Sequence, residues 1–423
     1  MKMPSPVSFI DFVRKNLNSD VRELMLQAQR YPDVDMRKAV VQISAWQMAQ
    51  KKLPLWAATD GIIFPEHLSM EQCSSQQTAT YKGEILVRWM QQSDWCPSSE
   101  TLNMTDLTGG FGVDATCLAL AAGKIQKAHL TFVERNEELC LLAQNNLPLL
   151  GVEHSDVICA DSEEILNKLT THQHLIYIDP ARRDEHGGKT VAISDCTPDV
   201  IRLNELLLDK ADVVMLKLSP MLDIVEAERQ LKGIREIHIV SVNGECKEIL
   251  FILQKTPKTS DGFDQNEAKM VCVNLLANLP AQTFVFSHSI ERNATCHYTS
   301  ELKHYLYEPN ASVMKAMAFK SVAQLFHVEK LHPSSQLYTS DTLIPDFPGR
   351  IFEIIGSSHF NKKELKNLLK DIQKANLTVR NFPLSVAELR KRLKLNEGGS
   401  DYLFATTLAD DSHVLILCKK PLS

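Results

Sequence analysis

The sequence predicts an α/β fold built on a mostly parallel sheet with helices on both faces and an antiparallel last strand. An N-terminal helical region precedes the sheet, and C-terminal α+β domains follow it. Three observations carry this prediction. From Met104 onward, short apolar runs alternate with helical patterns, as βαβ units require. The last two runs are joined by Asn243-Gly244, a two-residue hairpin turn. Residues 1–95 show helical periodicity only. The chain has 423 residues, 44% hydrophobic and 23% charged, a composition that folds and is long enough for several domains.

Each element has a local cause. In the first region Ser8, Asp20 and Asp35 are positioned to cap three helices, since a side-chain oxygen there accepts an orphan backbone N–H. The third carries Met36, Ala39, Val40, Ile43 and Trp46 at helical spacing. A loop follows from Leu53 to Pro65, then a helical stretch through Tyr81, Leu86, Val87 and Trp89. Pro97 to Asn103 reads as a linker. Strands are expected at Met104–Leu107, Ala128–Val133, Asp156–Cys159, Leu175–Ile178, Val213–Leu218, Ile237–Val242 and Ile249–Leu253. The polar stretch Lys255 to Lys269 is the next boundary. Beyond it the clearest elements are Phe284–Ser287, Ala311–Val322, Ile351–Ile355, Lys362–Lys374 and Tyr402–Leu408, with a further division between Pro345 and Pro348. The expected parts are therefore 1–95, 96–258, 270–343 and 344–423.

Several function classes are excluded by pattern. No apolar run approaches the ~18 residues of a membrane span. Pro4, Pro6 and Asp11 interrupt the place a signal peptide would occupy, so a cytoplasmic protein is expected. The ten cysteines show no paired Cys-x-x-Cys and read as thiols. The fourteen histidines show neither His-x-x-x-His nor His-Glu-x-x-His, so no metal is expected. The net charge of −6 disfavours nucleic acid at first sight. Locally it does not: from Phe360 to Glu397 ten basic residues face four acidic ones.

The strongest motif is Asp106-Leu107-Thr108-Gly109-Gly110-Phe111-Gly112-Val113-Asp114, between a strand and a helix. Glycine there lets the backbone approach a ligand lying over the strand's carboxyl end. Glu134 closes the second strand and Asp161 the third, both at the edge where open α/β sheets bind ligands. An acid after strand two can accept from ribose hydroxyls, and one after strand three can meet an exocyclic adenine amine. Each could equally be a helix cap. The fourth strand ends Asp179-Pro180-Ala181-Arg182-Arg183. This puts a carboxylate and a rigid, donor-free backbone beside a reacting centre, with two arginines able to hold a phosphate.

Together these motifs resemble the class I S-adenosylmethionine-dependent methyltransferases, whose Rossmann-like sheet also ends in an antiparallel strand. The whole chain is similar to the bacterial methyltransferases that carry a C-terminal THUMP-like domain. The supporting stretches are Thr59-Asp60-Gly61, Glu71-Gln72, Asp106–Asp114, Asp179–Arg183, Tyr307-Glu308-Pro309-Asn310, Pro348-Gly349-Arg350 and Glu388-Leu389-Arg390-Lys391-Arg392. The resemblance implies a small ferredoxin-like domain at 270–343 and a THUMP-like domain at 344–423. It implies S-adenosylmethionine as cofactor, held by Asp106, Thr108, Gly109, Gly110, Gly112, Asp114, Glu134, Arg135, Asp161 and Ser162. Gly110 stands where many relatives have Cys or Thr. Asp179, Pro180, Ala181 and Arg182 would line the methyl-acceptor pocket. Read from its residues, the segment Ser74 to Lys82 is either a lid folded over the cofactor, with Tyr81 and Lys82 in contact, or a packed linker.

The resemblance also implies an RNA partner, tRNA or rRNA, because THUMP-type domains accompany RNA-modifying enzymes. Lys362, Lys363, Lys366, Arg390, Lys391 and Arg392 are the expected RNA contacts. Uridine C5 methylation needs a nucleophilic Cys after strand five. Here that place reads Leu216-Lys217-Leu218-Ser219-Pro220, so direct transfer without a covalent intermediate is expected. Three other readings compete: a methyltransferase for a protein or small molecule, a non-catalytic RNA-binding or assembly protein with a degenerate domain, and a nicotinamide-dependent dehydrogenase.

Overall fold

A computed structural model describes residues 9–91, 100–182, 193–255 and 267–421, without the side chain of Arg182. Ser8 and Arg183 lie outside the described residues. Two compact units result: Met1–Arg235 with Phe251–Lys258, and Glu236–Leu250 with Thr259–Ser423.

The first unit opens with six helices, α1 (Phe9–Asn16), α2 (Val21–Leu26), α3 (Met36–Lys52), α4 (Pro54–Ala58), α5 (His67–Gln72) and α6 (Gln76–Met90). Asp20 caps α2 by accepting the Arg22 and Glu23 N–H groups at 2.7 and 3.2 Å. Asp35 caps α3 through the Lys38 N–H, and Ser75 caps α6 through the Thr78 N–H. Phe12, Leu24, Met36, Ala39 and Ile43 form one core. Trp56, Met70 and Ala79 join Phe111, Val113 and Cys117 in another, which fixes the helical region against the sheet. Gly83 permits this approach, because a Cβ there would stand 2.8 Å from that of Ala121.

Strands and helices then alternate as β1 (Thr101–Asp106), α7 (Val113–Gly123), β2 (Lys127–Glu134), α8 (Glu137–Leu149), β3 (Ser155–Cys159), α9 (Ser162–Lys168) and β4 (Gln173–Ile178). After the short antiparallel pair β5 (Ala181–Arg182) and β6 (Cys196–Thr197) come α10 (Val200–Lys210), β7 (Ala211–Leu218) and α11 (Ile224–Gln230). The order β7-β4-β1-β2-β3 is parallel throughout. β1 has β2 on one side and β4 on the other, so the winding reverses there. Ligands of open α/β sheets bind outside the strands' carboxyl ends at such a reversal.

β8 (Ile234–Val242) and β9 (Glu245–Leu253) flank Asn243 and Gly244, both with positive φ of 50° and 82°, as a type I′ hairpin turn needs. In the second unit β10 (Lys269–Leu276) runs parallel to β8, from Lys269↔Glu236 to Leu275↔Val242. β11 (Leu279–Phe286) returns antiparallel to β10. The expected part 270–343 thus begins on β10, which hydrogen-bonds to β8. Parallel pairing across a long connection leaves no local pattern to read.

The second unit continues with α12 (His288–Asn293), β12 (Tyr305–Pro309), α13 (Ala311–Ala316), α14 (Phe319–Leu325), β13 (Glu329–Lys330), β14 (Tyr338–Ser340) and β15 (Gly349–His359). It ends with α15 (Lys362–Leu368), β16 (Asn376–Arg380), α16 (Val386–Leu393), β17 (Tyr402–Thr407) and β18 (His413–Lys419). These strands form one sheet in the order β13-β14-β12-β15-β18-β17-β16. Its core is Phe352, Phe404 and Ile416 with their neighbours, and α15 and α16 bury Leu365 and Leu389 beside β17 and β18. Ser385 and Glu388 close a capping box on α16. Among the described residues no helix is long and apolar enough to cross a membrane.

Candidate active site

A cleft of about 370 Å³ opens in the first unit at the carboxyl ends of β1, β2 and β4. Its floor is the loop Asp106–Asp114. Gly109 donates its N–H to the Val133 carbonyl at 2.8 Å, and a Cβ on it would lie 2.2 Å from the Phe132 ring, so only glycine fits. Gly110 takes φ of 55° and donates its N–H to Glu134 Oε2 at 2.8 Å. Gly112, at φ of 82°, is the N-cap of α7. Glu134 Oε1 accepts the Asn136 N–H at 2.9 Å. The carboxylate closing β2 is thus oriented by two backbone donors while its edge faces the cleft.

Asp106 closes β1 and is buried. It accepts the Thr108 N–H at 2.8 Å. Thr108 Oγ1 in turn accepts the Asp179 N–H at 2.6 Å, which ties the ends of β1 and β4 together across the switch point. Burial pushes the Asp106 carboxyl well above its usual range; the Thr108 N–H opposes this, and the Asp114, Asp179 and Glu134 carboxylates add to it. Of the four, Asp114 and Asp179 are each paired with a lysine, whereas Asp106 and Glu134 accept backbone N–H groups.

Asp114 lies in the first turn of α7 rather than at its cap. It accepts hydroxyl protons from Ser74 and Tyr177, both at 2.7 Å, and pairs with Lys82 Nζ at 3.0 Å. Burial acts to raise its pKa, but Lys82, Lys217, Ser74 and Tyr177 outweigh it and hold the group at about 2. At the other wall Lys217, near the end of β7, donates to Asp179 Oδ2. Asp161 lines the cleft and caps α9, accepting the Glu163 and Glu164 N–H groups at 2.9 and 3.3 Å. Capping and cleft-lining are therefore compatible in this residue.

Most of the expected residues meet here: Asp106, Thr108, Gly109, Gly110, Gly112, Asp114, Glu134, Arg135, Asp161, Ser162, Asp179 and Ala181 all line the cleft. Tyr81, Lys82 and Pro180 do not. Lys82 has a fully buried side chain behind Asp114, so the expected lid contact is instead an internal counter-ion. The reason is that Gln76 onward is a helix packed on α7, not a loop over the cleft. Ser74 does reach the cleft rim. The Arg182 side chain and Arg183 lie outside the described residues. Sequence reasoning missed Lys217 and Tyr177. Lys217 is the one charged residue in Val213–Leu218, and that was the available signal. It also missed Cys73, which lines the cleft. Burial raises the Cys73 thiol pKa, and its Sγ donates to the Met70 carbonyl, so it is a poor nucleophile.

In the second unit Lys362, Lys363 and Lys366 are exposed on α15, and Lys391 and Arg392 on α16. The Arg392 guanidinium lies 4.5 Å from the Phe360 ring centre. Arg390 is half-buried, donating to the Ala375 carbonyl and facing Glu397. Among the described residues no group of three His, Cys, Asp or Glu side chains is arranged to hold a metal ion.

Residues 349–420 match the THUMP domain-like family, and residues 305–348 match a ferredoxin-like domain family. No curated protein matches the chain. Among solved structures, it is similar to a protein of Porphyromonas gingivalis W83 assigned as a methyltransferase, at 33% identity over 100% of both chains with a TM-score of 0.83. A class I S-adenosylmethionine-dependent methyltransferase assignment from Listeria monocytogenes is matched at 12% identity, over 63% of this chain and 93% of that one, with a TM-score of 0.40. An rRNA methylase from Streptococcus thermophilus is matched at 14% identity, over 41% of this chain and 94% of that one, with a TM-score of 0.30.

Proposed function

The chain belongs to the class I S-adenosylmethionine-dependent methyltransferases that carry a C-terminal THUMP-like domain, and from that premise we propose that it methylates a base in structured RNA, tRNA or rRNA, by direct transfer. The observation that carries the catalytic half is the glycine loop with the acids that close β1 and β2 beside it. Asp106 and Glu134 line the cleft as acceptors, and S-adenosylmethionine offers them an ammonium and ribose hydroxyls. The glycine loop leaves room where a Cβ would collide. In this reading Asp106 faces the amino group, Glu134 accepts from the ribose hydroxyls and Asp161 accepts from the adenine amine. Arg135 and Ser162 complete the rim.

When bound, S-adenosylmethionine supplies a methyl group activated on sulfur. The chain's own work is to orient the acceptor and take its proton. Asp179, which lines the cleft, accepts from the acceptor, aligns its lone pair and takes up the proton released. Lys217 pairs with Asp179 Oδ2 and fixes its side chain at the end of β4. The end of β7 and the residues after it, Leu216-Lys217-Leu218-Ser219-Pro220, hold no thiol where a covalent mechanism would need one, and Cys73 holds its proton. Both observations support direct transfer.

The RNA half is supported by the THUMP domain-like match and by the cationic faces of α15 and α16, because lysine and arginine bind phosphates without reading sequence. We divide the chain accordingly into a helical part at 1–95, the catalytic part at 96–258, and C-terminal parts at 270–343 and 344–423 that engage RNA in a cytoplasmic setting.

Two measurements test this. In calorimetric titration the protein takes S-adenosylmethionine and not NAD, and Glu134→Ala weakens that binding at least about tenfold, since two hydroxyl partners and the Gly110 anchor are lost together. Equal affinity in the variant would remove the cofactor assignment. Incubated with radiolabelled cofactor and total RNA from a strain lacking the gene, the protein labels the RNA. Label confined to protein or small molecules would select a different acceptor.

A further inference from the structure

Glu308 is a buried carboxylate in β12, with 4% of its side chain exposed. It stands opposite Arg350 of β15 in the ladder. Gly349 allows the two strands this register, because a Cβ on it would lie 2.1 Å from the Glu308 carbonyl oxygen. Arg350 donates from Nε to Glu308 Oε2 at 2.8 Å, with Nη2 on the same oxygen. Arg380, at the end of β16, donates from Nε and Nη2 to Glu308 Oε1 at 3.2 and 2.9 Å. One carboxylate thus fixes two guanidinium groups, whose side chains remain 47% and 39% exposed. A third cation joins them. Lys420 Nζ lies 4.7 Å from the Phe352 ring centre and 5.8 Å from that of Tyr402, and the Arg350 guanidinium lies 5.4 Å from Phe352.

Two guanidinium groups therefore share one carboxylate, with the Lys420 ammonium over the neighbouring Phe352 ring, and the excess positive charge faces water. Burial lowers the Lys420 pKa, Arg350 lowers it further, and Glu308 opposes both. Such crowding is relieved by an anion. The fork of each arginine is pre-aimed, so little ordering is needed on binding. These residues lie apart in sequence from the basic stretch of α15 and α16, and only Arg380 falls within it.

We propose that Arg350, Arg380 and Lys420 form a phosphate-docking site for the backbone of the RNA partner, with Glu308 as its organiser. The inference rests on the RNA reading above. The donors are arranged for phosphate oxygens and not for base edges, so the site positions RNA without selecting sequence.

The test uses the full chain and a fluorescein-labelled RNA hairpin of arbitrary sequence, followed by anisotropy at several salt concentrations. Lys420→Glu weakens binding about tenfold, and Lys420→Gln lowers the slope of log affinity against log salt by about one. Lys420 makes no hydrogen bond to Glu308, so neither variant dismantles the arginine pair, and an unchanged melting temperature verifies the fold. Wild-type affinity and slope in both variants, with a loss in Lys362→Glu/Lys363→Glu, would place the contact on α15 and overturn the proposal. RNA that binds through Lys420 but receives no methyl group would keep this site and remove the acceptor reading. RNA that is methylated normally by Lys420→Glu, with unchanged affinity, would do the reverse.

Discussion

Lys82→Met lowers the unfolding free energy by about 3 kcal/mol at neutral pH, because removing one partner leaves a buried charge uncompensated. Its ammonium has no exposed surface and faces Asp114 at 3.0 Å. The effect has a pH signature. The folded Asp114 carboxyl is held at about 2, below the ordinary value for an unfolded chain. A carboxyl depressed on folding favours the fold above its unfolded value, and that contribution disappears as pH falls from about 4 through about 2. For a shift of this size the contribution is about 2 kcal/mol. Asp106 is displaced the other way, but it is common to both proteins and cancels in their difference. Urea unfolding between pH 7 and pH 2 therefore gives curves that converge at the acid end. A constant gap, or none at neutral pH, would show that Lys82 is not the counter-ion that sustains Asp114.

Asp179→Asn lowers kcat for methyl transfer by about 10²- to 10⁴-fold, the range for loss of a positioned proton acceptor. Cofactor affinity changes little, because the Asp179 backbone N–H that anchors Thr108 Oγ1 survives the substitution. Lys217→Met produces a smaller loss of kcat, since Asp179 then stands without the partner that fixes its side chain. Single-turnover labelling of the methyl acceptor measures both effects. A Lys217→Met rate equal to that of the unmodified enzyme would mean that the ion pair is only structural.

These residues also mark how far the sequence could be read. Glu134 and Asp161 were legible because a strand's end and the helix after it can both be seen in local pattern. The glycine loop was legible for the same reason. Strand starts were not: Lys127, Gln173, Ala211 and Glu245 begin strands with no apolar signature, and backbone pairing alone recruits them. For Lys82 the sequence left a lid contact and a packed segment both open, although Lys is seldom fully buried. Its actual partner, Asp114, is distant in sequence, and only the packing of α6 on α7 at Gly83 brings them together. Lys217 was visible as a charge in an apolar strand, yet its role depends on β4 lying beside β7. Pairings of that kind are decided by topology and leave no trace in either segment.

Glu134 has a consequence for time as well as for affinity. Its two oxygens hold the Gly110 and Asn136 amides, so the glycine loop, the end of β2 and the entry to α8 are stapled into one body before any ligand arrives. A visitor meets a finished rim and need not wait for one to assemble. Its arrival rate is then set by diffusion and charge, not by loop closure.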